Sequence, residues 1–564
     1  MKCTFVFAIS LLATAVVCQI YTPVVQTDKG PVKGKLAKTA FHRRDYSAFL
    51  GIPFAKPPVK DLRFKDPVEA EPWKEVLNAT AEAPLCMQTF LIGPIGKEDC
   101  LYLNVYTPDT QFNQLELKPV LVWIYGGGFL TGGILKPIYG PDWYIEDDIV
   151  MVAMNYRLGA LGFLALGLPD ASGNQGLKDQ NLALKWVRRN IAKFGGDPNR
   201  VTIMGQSAGA SSVVYHTLSP MSAGLFHQGI AQSGSALCPW AYKTPVESLA
   251  VAYELGTVMG LVPSTPDILL KRLKKADAFD IIQAETKVQL ANLITPISIP
   301  FAPTTEFKTN NPFLSDCPIS MMEKGNFAHV PMLIGFNADE AMLFAILAEE
   351  LRQEVHMIMR SWNSFLDPAG STKYLVNVAD MITNATEQQF IKMVSSWWFN
   401  APIHLTQKLM TKYNGDKPVY FYRLAYDTEK NFHRIIESQL SGTAHLDDLP
   451  LLFYISVLNP SDPENPFNLY CKRIVSMWSN FIKYSDPTPS NNTVSRAKWV
   501  NSGKEGLQLN IGNEEFKMHK RFLDPMDVEF ELLIAAKLTN DNTGCKAGVA
   551  NKVAAPVTQP TTVL

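Results

Sequence analysis

Short continuous runs of apolar residues alternate with a segment of helical periodicity in the early part of the chain. The runs cover residues 119–125 (PVLVWIY), 149–155 (IVMVAMN) and 201–204 (VTIM). Continuous apolar runs of this length are typical of strands covered by helices on both faces of a sheet. Between the last two runs, the apolar residues of segment 179–194 recur at the spacing of one helical face. Strand, helix, strand in this order predicts an α/β fold with a largely parallel sheet.

The N-terminus has the pattern of a secretory signal peptide. Lys2 precedes an apolar run over residues 5–17, and cleavage fits after Cys18 or after Ala15. The run is too short for a bilayer span, which disfavours the alternative of an N-terminal membrane anchor. We therefore expect residues 1–18 to be a signal peptide and the protein to be secreted.

The rest of the chain reads as one domain with a tail. Neither an internal repeat nor a long linker interrupts residues 20–535. From Thr539 onwards Asn, Thr, Gly, Ala, Val and Pro dominate without an amphipathic period. This composition predicts a flexible tail over residues 539–564 and one domain over residues 19–538.

The charge balance removes whole classes of function. The 564 residues include 52 Lys and Arg against 53 Asp and Glu, a formal net charge of -1. A nucleic-acid-binding protein needs an excess of basic residues, so this class is excluded. Apolar residues make up 47% of the chain and charged residues 19%, which predicts a large core and excludes wholesale disorder.

A GxSxG motif occupies residues 205–209, directly after the run 201–204 and before a helix-like stretch over residues 210–218. This strand–turn–helix context is that of a nucleophile elbow. The turn is so tight that the positions two residues before and after the serine have to be glycine. We interpret Ser207 as a nucleophile whose hydroxyl is lifted clear of the sheet.

A second glycine cluster, Gly126 to Gly128, directly follows the apolar run 119–125. Consecutive glycines leave backbone N–H groups unshielded and allow the chain to curl around an anion, which is how an oxyanion hole is built. On its own the cluster is more typical of an ordinary flexible turn. Together with the serine motif it predicts an oxyanion hole.

A serine hydroxyl needs a base that accepts its proton, and histidine with a carboxylate partner is the usual one. The chain has nine histidines. The order nucleophile, acid, histidine disfavours His42, which precedes Ser207. His445 stands in a loop-like segment next to Asp447 and Asp448, and loops commonly carry catalytic residues. These patterns leave several histidines and many acids open.

Further stretches match a known family. They read GIPFA at residues 51–55, EDCLYLNV at 98–105, NYRLG at 155–159 and FGGDP at 194–198. With the serine motif, they make the chain similar to the type-B carboxylesterases, the cholinesterase-like branch of the α/β-hydrolases, over nearly all of its length beyond the signal peptide. The resemblance implies an α/β-hydrolase fold, in which helices flank both faces of a large and mostly parallel central sheet.

The resemblance also implies a catalytic triad. The family acid is the glutamate of a G-x-N-x-x-E pattern, which residues 335–340 match, so Glu340 is implied. The family histidine lies in a G-x-x-H pattern, which residues 442–445 match, so His445 is implied as the base for Ser207. By the same carry-over, the oxyanion donors are the N–H groups of Gly127, Gly128 and Ala208.

Structural features follow from the same resemblance. A disulfide between Cys86 and Cys100 is implied, because the first disulfide of the family ends at the cysteine of the EDCLYLN segment. The remaining implied features are the salt bridges Arg63–Glu98 and Arg157–Asp179, which would hold loops near the site, and a supporting serine at Ser233.

Cysteines and sequons agree with secretion. Removal of the signal peptide leaves an even number of cysteines, as is typical of secreted chains with disulfides. Cys238 and Cys317 each lie beside a proline in a loop-like context, which makes them a candidate second pair. No CxxC spacing occurs after the signal peptide, so a zinc site is not expected. Sequons predict N-glycosylation at Asn78, Asn384 and Asn491.

Two departures from the cholinesterases bear on the substrate. Gln206 stands where the family often has glutamate, which removes a negative charge beside Ser207. The loop between Cys86 and Cys100 lacks the tryptophan with which cholinesterases hold a quaternary ammonium. Both departures disfavour choline esters. The motifs are most similar to those of insect secreted and juvenile-hormone-type esterases.

The sequence therefore predicts a secreted serine carboxylesterase that hydrolyses apolar carboxylic esters through an acyl-enzyme on Ser207. A juvenile-hormone, odorant or pheromone ester is the candidate substrate. Segments 397–399 and 451–453 are candidates for lining a substrate gorge, although large apolar side chains usually lie in the core. No metal, organic cofactor, nucleic acid or stable membrane anchor is expected, and the oligomeric state stays open. The alternative, a non-catalytic adhesion or binding protein like the neuroligins, is disfavoured because such relatives lose triad members.

Overall fold

The computed structural model describes residues 20–90, 93–112, 116–261, 265–293, 299–307, 309–343, 387–436, 440–491, 493–514, 516–521 and 524–539. The predicted signal peptide, the glycosylation site Asn384 and the predicted tail beyond Thr539 lie outside these residues.

One large sheet and two small ones contain all the strands of the described residues. In chain order the strands are β1 (Tyr21–Gln26), β2 (Pro31–Lys38), β3 (Asp45–Pro53), β4 (Leu77–Asn78), β5 (Gln88–Phe90), β6 (Gly93–Ile95), β7 (Tyr102–Thr107), β8 (Lys118–Ile124), β9 (Val150–Met154), β10 (Ala165–Leu168), β11 (Ala171–Ser172), β12 (Gly196–Gln206), β13 (Gln228–Gln232), β14 (Met332–Asn337), β15 (Val419–Ala425), β16 (Leu507–Gly512) and β17 (Phe516–Lys520). The 13-stranded sheet has the order β1-β2-β3-β7-β9-β8-β12-β13-β14-β15-β16-β17, with β4 paired to β2.

The strands from β9 through β16 in this order run parallel to their neighbours. The strands at both margins, namely β1, β2, β3, β7 and β17, pair antiparallel in the main sheet. Every residue of β9, β13 and β14 is buried, so layers of structure cover both faces of the sheet at its centre. This arrangement confirms the predicted α/β-hydrolase fold.

Helices connect the parallel strands. In chain order they are α1 (Asp142–Glu146), α2 (Gly159–Phe163), α3 (Gln175–Asn190), α4 (Ala208–Leu218), α5 (Pro245–Val258), α6 (Pro266–Leu273), α7 (Ala278–Leu293), α8 (Pro318–Glu323), α9 (Glu387–Ser395), α10 (Ala401–Tyr413), α11 (Leu449–Leu452), α12 (Pro466–Tyr484) and α13 (Pro525–Thr539). Single 3₁₀ turns occupy Lys60–Leu62, Ile191–Phe194, Pro220–Ser222 and Phe432–Ile436, and a π-helical turn occupies Ser396–Asn400. Within the described ranges, no helix combines the length and the apolar character that a membrane crossing requires.

The apolar runs of the sequence mark real strands, with shifted ends. The first two runs correspond to β8 and β9, and the third is the centre of β12, which is longer because its ends carry polar or glycine residues. The helix predicted over residues 179–194 starts earlier, at Gln175, and ends as a 3₁₀ turn. Its first turns bury polar side chains such as Lys178, so apolar periodicity alone could not mark the start.

Parallel strands bring distant segments to one edge of the sheet. The glycine cluster follows β8, Ser207 follows β12, Glu340 lies three residues after β14, and His445 is on the connection that follows β15. In an open α/β sheet, the carboxyl ends of the strands meet at one edge, where ligands bind. The fold therefore gathers the predicted site residues at a common edge.

The disulfides agree with the sequence analysis in one case and contradict it in another. Cys86 and Cys100 form a disulfide with a Cα–Cα distance of 5.0 Å. The predicted Cys238–Cys317 pair is wrong, because Cys238 is a free, buried thiol. Cys317 is disulfide-bonded, but not to Cys238. A proline and a loop-like context do not bring two cysteines within bonding distance, which is set by the fold.

The implied salt bridges are present; the Arg157–Asp179 pair is buried and the Arg63–Glu98 pair is partly buried. Arg63 Nε and Glu98 Oε1 are 2.6 Å apart, and Arg63 also donates to the carbonyl oxygens of Leu273 and Ala276. Arg157 donates to both carboxylate oxygens of Asp179, at 2.8 and 2.7 Å. Two-point contacts of this kind fix the orientation of both partners.

Candidate active site

Ser207 stands at the turn between β12 and α4. Its backbone has φ 59° and ψ -124°, a conformation that residues other than glycine rarely adopt. Its N–H donates to the carbonyl oxygen of Gln232 on the neighbouring strand at 2.8 Å. The side chain is 7% exposed. The serine is thus held in a strained turn at the edge of the sheet, as the motif predicts.

The two glycines of the motif are required by close backbone contacts. A Cβ on Gly205 would lie 2.3 Å from the backbone carbon of Gly209, and a Cβ on Gly209 would lie 2.0 Å from the carbonyl oxygen of Ile124. No real Cβ atom tolerates such distances, so any other residue would force the turn apart. The strand, the turn and the first helical residues are packed backbone to backbone.

The structure brings His445 and Glu340 together. Nδ1 of His445 lies 2.6 Å from Oε2 of Glu340, and the backbone N–H of His445 donates to the Glu340 carbonyl oxygen at 3.2 Å. The other carboxylate oxygen, Oε1, accepts from the N–H of Asn337 at 2.8 Å. Glu340 is fully buried and His445 is 4% exposed. Each oxygen of the Glu340 carboxylate therefore accepts a hydrogen bond, and the two bonds fix its orientation.

The second ring nitrogen of His445 faces the residue that precedes the nucleophile. Nε2 lies 3.2 Å from the amide nitrogen of Gln206. The amide N–H of Gln206 points at Nε2, so Nε2 accepts this hydrogen bond. The ring proton is then on Nδ1, which donates a hydrogen bond to Glu340. Among the hydrogen bonds between described residues, none joins Ser207 Oγ to the ring. Catalytic contacts are commonly long before substrate binds.

The glycine cluster lies directly against the nucleophile. A Cβ on Gly126 would be 2.8 Å from Cβ of Ser207. Gly127 and Gly128 have φ values of 112° and 64°, which favour glycine. The carbonyl oxygen of Gly127 accepts the N–H groups of the residues three and four positions later, which closes the turn. Ala208, the third predicted donor, is the first residue of α4, and the first N–H groups of a helix have no partner within it.

A chain of aromatic rings leads away from the histidine. The ring of Phe399 is centred 4.8 Å from that of His445, Trp240 lies 5.9 Å from Phe399, and Phe129 lies 6.5 Å from Trp240. Phe399 belongs to the π-helical turn Ser396–Asn400, a local irregularity that is frequent at functional sites.

Of the gorge candidates named from the sequence, segment 397–399 reaches the site through Phe399. Segment 451–453 does not reach it by any aromatic contact among the described residues, since Phe453 packs on Trp123 in the core at 4.6 Å. Ile299, which sequence reasoning missed, has its side chain 3.0 Å from a Cβ built on Gly128. No local pattern marks Ile299, because its contact is with a loop that is distant in sequence.

A further buried acid lies close to His445 and Glu340. Asp448 accepts a hydrogen bond from the side-chain amide of Gln232 at 2.7 Å. Burial raises the pKa of Asp448 to about 7, the charge of Glu340 acts in the same direction, and His445 opposes both. Asp448 thus titrates near neutral pH and links the histidine loop to the strand that holds the N–H of Ser207.

The loop that carries His445 is held by side chains that the sequence analysis did not assign. The N–H of Gly442 donates to Asp427 at 2.9 Å, and that of Thr443 donates to Asp339 at 3.1 Å. The side chain of Asn337 donates to the carbonyl oxygen of Ala444 at 2.8 Å. Asn337 is the asparagine of the matched G-x-N-x-x-E pattern, so the motif could have identified it. No sequence motif singles out Asp427 or Asp339.

Ser233 lies at the end of the strand next to the nucleophile. It is fully buried with φ 57°, and its N–H donates to the carbonyl oxygen of Gly335 at 2.8 Å. Its hydroxyl has no hydrogen-bond partner among the described residues. The backbone of Ser233 therefore ties β13 to the segment that leads to Glu340.

The chain is similar to known proteins over most of its length. The model of the carboxylesterase family matches residues 21–530. Juvenile hormone esterase of Tribolium castaneum is 36% identical over 507 residues, which cover 83% of this chain and 85% of that protein. Esterase E4 of Myzus persicae is 34% identical over 507 residues, with 84% and 88% covered. The crystal structure of juvenile hormone esterase from Manduca sexta, with OTFP covalently attached, aligns with a TM-score of 0.81 at 26% identity and covers 92% of this chain and 99% of that chain. The chain therefore belongs to the carboxylesterase family and is a carboxylic-ester hydrolase.

Proposed function

We propose that the protein hydrolyses its ester by a serine mechanism, with Ser207 as nucleophile, His445 as general base and acid, and Glu340 as the carboxylate that orients the ring. The observation that carries this proposal is the position of the His445 imidazole ring. Nδ1 is 2.6 Å from Glu340, and Nε2 is directed at the residue next to Ser207. Because Glu340 accepts a hydrogen bond from Nδ1–H, the proton stays on Nδ1 and Nε2 keeps the lone pair that removes a proton from a hydroxyl.

The reaction takes place in two halves. Ser207 Oγ attacks the ester carbonyl carbon while its proton moves to Nε2 of His445. The bond to the alcohol breaks, and the alcohol leaves with that proton. Water then attacks the acyl-enzyme with the same proton transfers, which releases the acid and restores Ser207.

The negative oxygen of each tetrahedral intermediate is held by the N–H groups of Gly127, Gly128 and Ala208. Two features support this assignment: the glycine turn packs on Ser207, and Ala208 opens a helix whose first N–H groups point towards the reacting centre. Loss of one such donor typically lowers kcat by about 100-fold or more.

The substrate is an apolar ester, with a juvenile-hormone, odorant or pheromone ester as the candidates. Phe399 packs against His445, Trp240 packs against Phe399, and Ile299 lies next to Gly128, so the groups near the site are apolar. Gln206 is uncharged, so the site has no carboxylate at that position to attract a cationic choline ester. The names of the relatives from Tribolium castaneum and Manduca sexta agree with an apolar hormone ester.

The proposal includes secretion. The parts are a signal peptide over residues 1–18, a catalytic domain over 19–538, a tail over 539–564, and glycans at Asn78, Asn384 and Asn491. Asn78 and Asn491 are exposed, and the Cys86–Cys100 disulfide suits an oxidising compartment.

The first test is the Ser207→Ala protein, assayed with a simple aryl ester and with an organophosphate that labels active serines. We expect turnover to fall at least about 1,000-fold and labelling to disappear. Ser476→Ala is the matched control, because Ser476 bonds only within its own helix. Full activity of Ser207→Ala, or labelling of another residue, would refute the mechanism. A wild-type protein without turnover on any ester would favour the adhesion alternative.

The second test concerns the substrate. Purified protein is assayed with a terpenoid methyl ester, medium-chain acetates and choline esters. We expect kcat/KM to rise with the apolar surface of the ester, because the aromatic rings near His445 exclude water and offer no charge. A sharp preference for short choline esters would contradict the assigned substrate class.

A further inference from the structure

A second buried histidine–carboxylate pair joins the loop that carries His445 to the turn that precedes it. Nδ1 of His433 is 2.7 Å from Oδ2 of Asp447, and both side chains are 0% exposed. His433 is in the 3₁₀ turn Phe432–Ile436, and Asp447 is two residues after His445. Neither residue takes part in the mechanism above.

Asp447 is the central acceptor of this loop. Its Oδ2 accepts from the backbone N–H of Ala444 at 2.6 Å and from the side chain of Asn431 at 3.1 Å, in addition to His433. Its Oδ1 accepts from the backbone N–H of His433 at 3.0 Å. Nitrogen atoms of three residues, Asn431, His433 and Ala444, thus face this one carboxylate.

Both ring nitrogens of His433 have hydrogen-bond partners within the protein. Nε2 lies 3.2 Å from the carbonyl oxygen of Leu440, and Nδ1 faces the carboxylate of Asp447 at 2.7 Å. The ring is therefore fixed at both ends by buried hydrogen bonds and is not directed towards Ser207.

This hydrogen-bonded pair acts on a backbone that is strained. Leu446, between His445 and Asp447, has φ 80°, which is unfavourable for a branched side chain. Asp447 fixes the N–H of Ala444, the residue directly before His445. Hydrogen bonds thus hold the loop near the His445 ring. Asp447 bonds to Ala444 within the loop, and His433 bonds to Asp447 from the preceding turn.

We propose that His433 and Asp447 are positioning residues of the esterase: their buried hydrogen-bonded pair holds the strained loop 442–447 so that the His445 ring stays between Glu340 and the nucleophile. The proposal rests on the proposed function, since it assigns the pair a role through His445. It requires no contact of either residue with the substrate.

The test compares His433→Leu, His433→Asn and Asp447→Asn with the wild type. Rates are expressed per active site, counted by organophosphate labelling carried to completion. For His433→Leu and Asp447→Asn we expect kcat to fall about 10- to 100-fold while KM changes by less than about threefold, because a displaced base slows the chemistry and leaves the substrate pocket intact. His433→Asn places an amide N–H near the position of Nδ1 and should return kcat to within about fivefold of the wild type.

The control is His216→Asn, which makes the same change at a buried histidine bonded to Ser222 and Gln180, away from the loop. It should lower stability and leave kcat per active site unchanged. The proposal is overturned if His433→Leu and Asp447→Asn both keep kcat per active site within about twofold of the wild type, whatever their folded yield, or if His433→Asn is no better than His433→Leu. If Ser207→Ala were active, the proposed function would fail instead, so the two failures are distinguishable.

Discussion

Replacement of Glu340 by glutamine tests the tautomer on which the mechanism depends. The two carboxylate oxygens have different partners: Oε1 accepts from the N–H of Asn337 at 2.8 Å, and Oε2 accepts from Nδ1 of His445 at 2.6 Å. A glutamine of the same shape has one oxygen and one NH₂ group. Because the Asn337 N–H is a backbone donor that cannot rotate, the amide oxygen must stay there, and the NH₂ group then faces Nδ1 of His445.

This orientation forces the wrong form of the ring. Nδ1 has to accept from the new NH₂ group, so the proton of a neutral imidazole moves to Nε2, which can no longer take the proton of Ser207. The variant also loses the charge that stabilises the imidazolium in the transition state. We expect kcat to fall about 1,000- to 10,000-fold, which corresponds to about 4–5.5 kcal/mol of transition-state stabilisation, with little change in KM.

The assay is steady-state hydrolysis of an aryl ester, with folding checked by circular dichroism and thermal unfolding. Glu285→Gln is the matched control, because burial raises the pKa of that carboxyl to about 7 and a neutral amide is close to its protonated form. Glu285→Gln should keep activity within about twofold. A Glu340→Gln enzyme that retains more than about a tenth of the wild-type kcat would refute the reasoning about the tautomer.

Three more expectations concern stability. Gly209→Ala should destabilise the protein by about 3 kcal/mol or more, because the new methyl group would lie 2.0 Å from a carbonyl oxygen at the end of β8. An unchanged melting temperature would contradict the conclusion that glycine is required at this position. Burial beside Glu340 raises the pKa of Asp448 from 3.8 to about 7, so the folded protein binds a proton that the unfolded chain has released between those values, and stability falls as the pH rises through this window. Asp448→Asn removes this effect, and the melting temperature of the variant relative to wild type should rise from pH 5 to pH 8; a constant difference would argue against it. Loss of the disulfide in the Cys86→Ser, Cys100→Ser double variant opens a loop of sequence separation 14 and should lower the free energy of unfolding by about 3 kcal/mol in chemical denaturation.

Local signals in the sequence determined the strands on either side of Ser207 and the tight turn in which Ser207 lies. β8, β9 and the centre of β12 are apolar runs because both faces of the sheet are covered, so the pattern survives without knowledge of the partners. The glycines around Ser207 are needed for contacts made mainly within one turn and with the adjacent strand. Such requirements lie close together along the chain and can be read from it.

The residues alone did not identify the partners of Ser207. The residues alone left several of the nine histidines open, and His445 and Glu340 were assigned by family resemblance. Three features follow only from the tertiary structure. They are the hydrogen bond between His445 and Glu340, the hydrogen bond between His433 and Asp447, and the free thiol of Cys238. The physical reason is that hydrogen bonds and disulfides act over a few ångströms, whereas these residues are separated along the chain by connections whose paths are set by the packing of the whole sheet. The sequence by itself determined which segments could be strands and where a nucleophile could stand; the order in which the strands pack decided which side chains meet there.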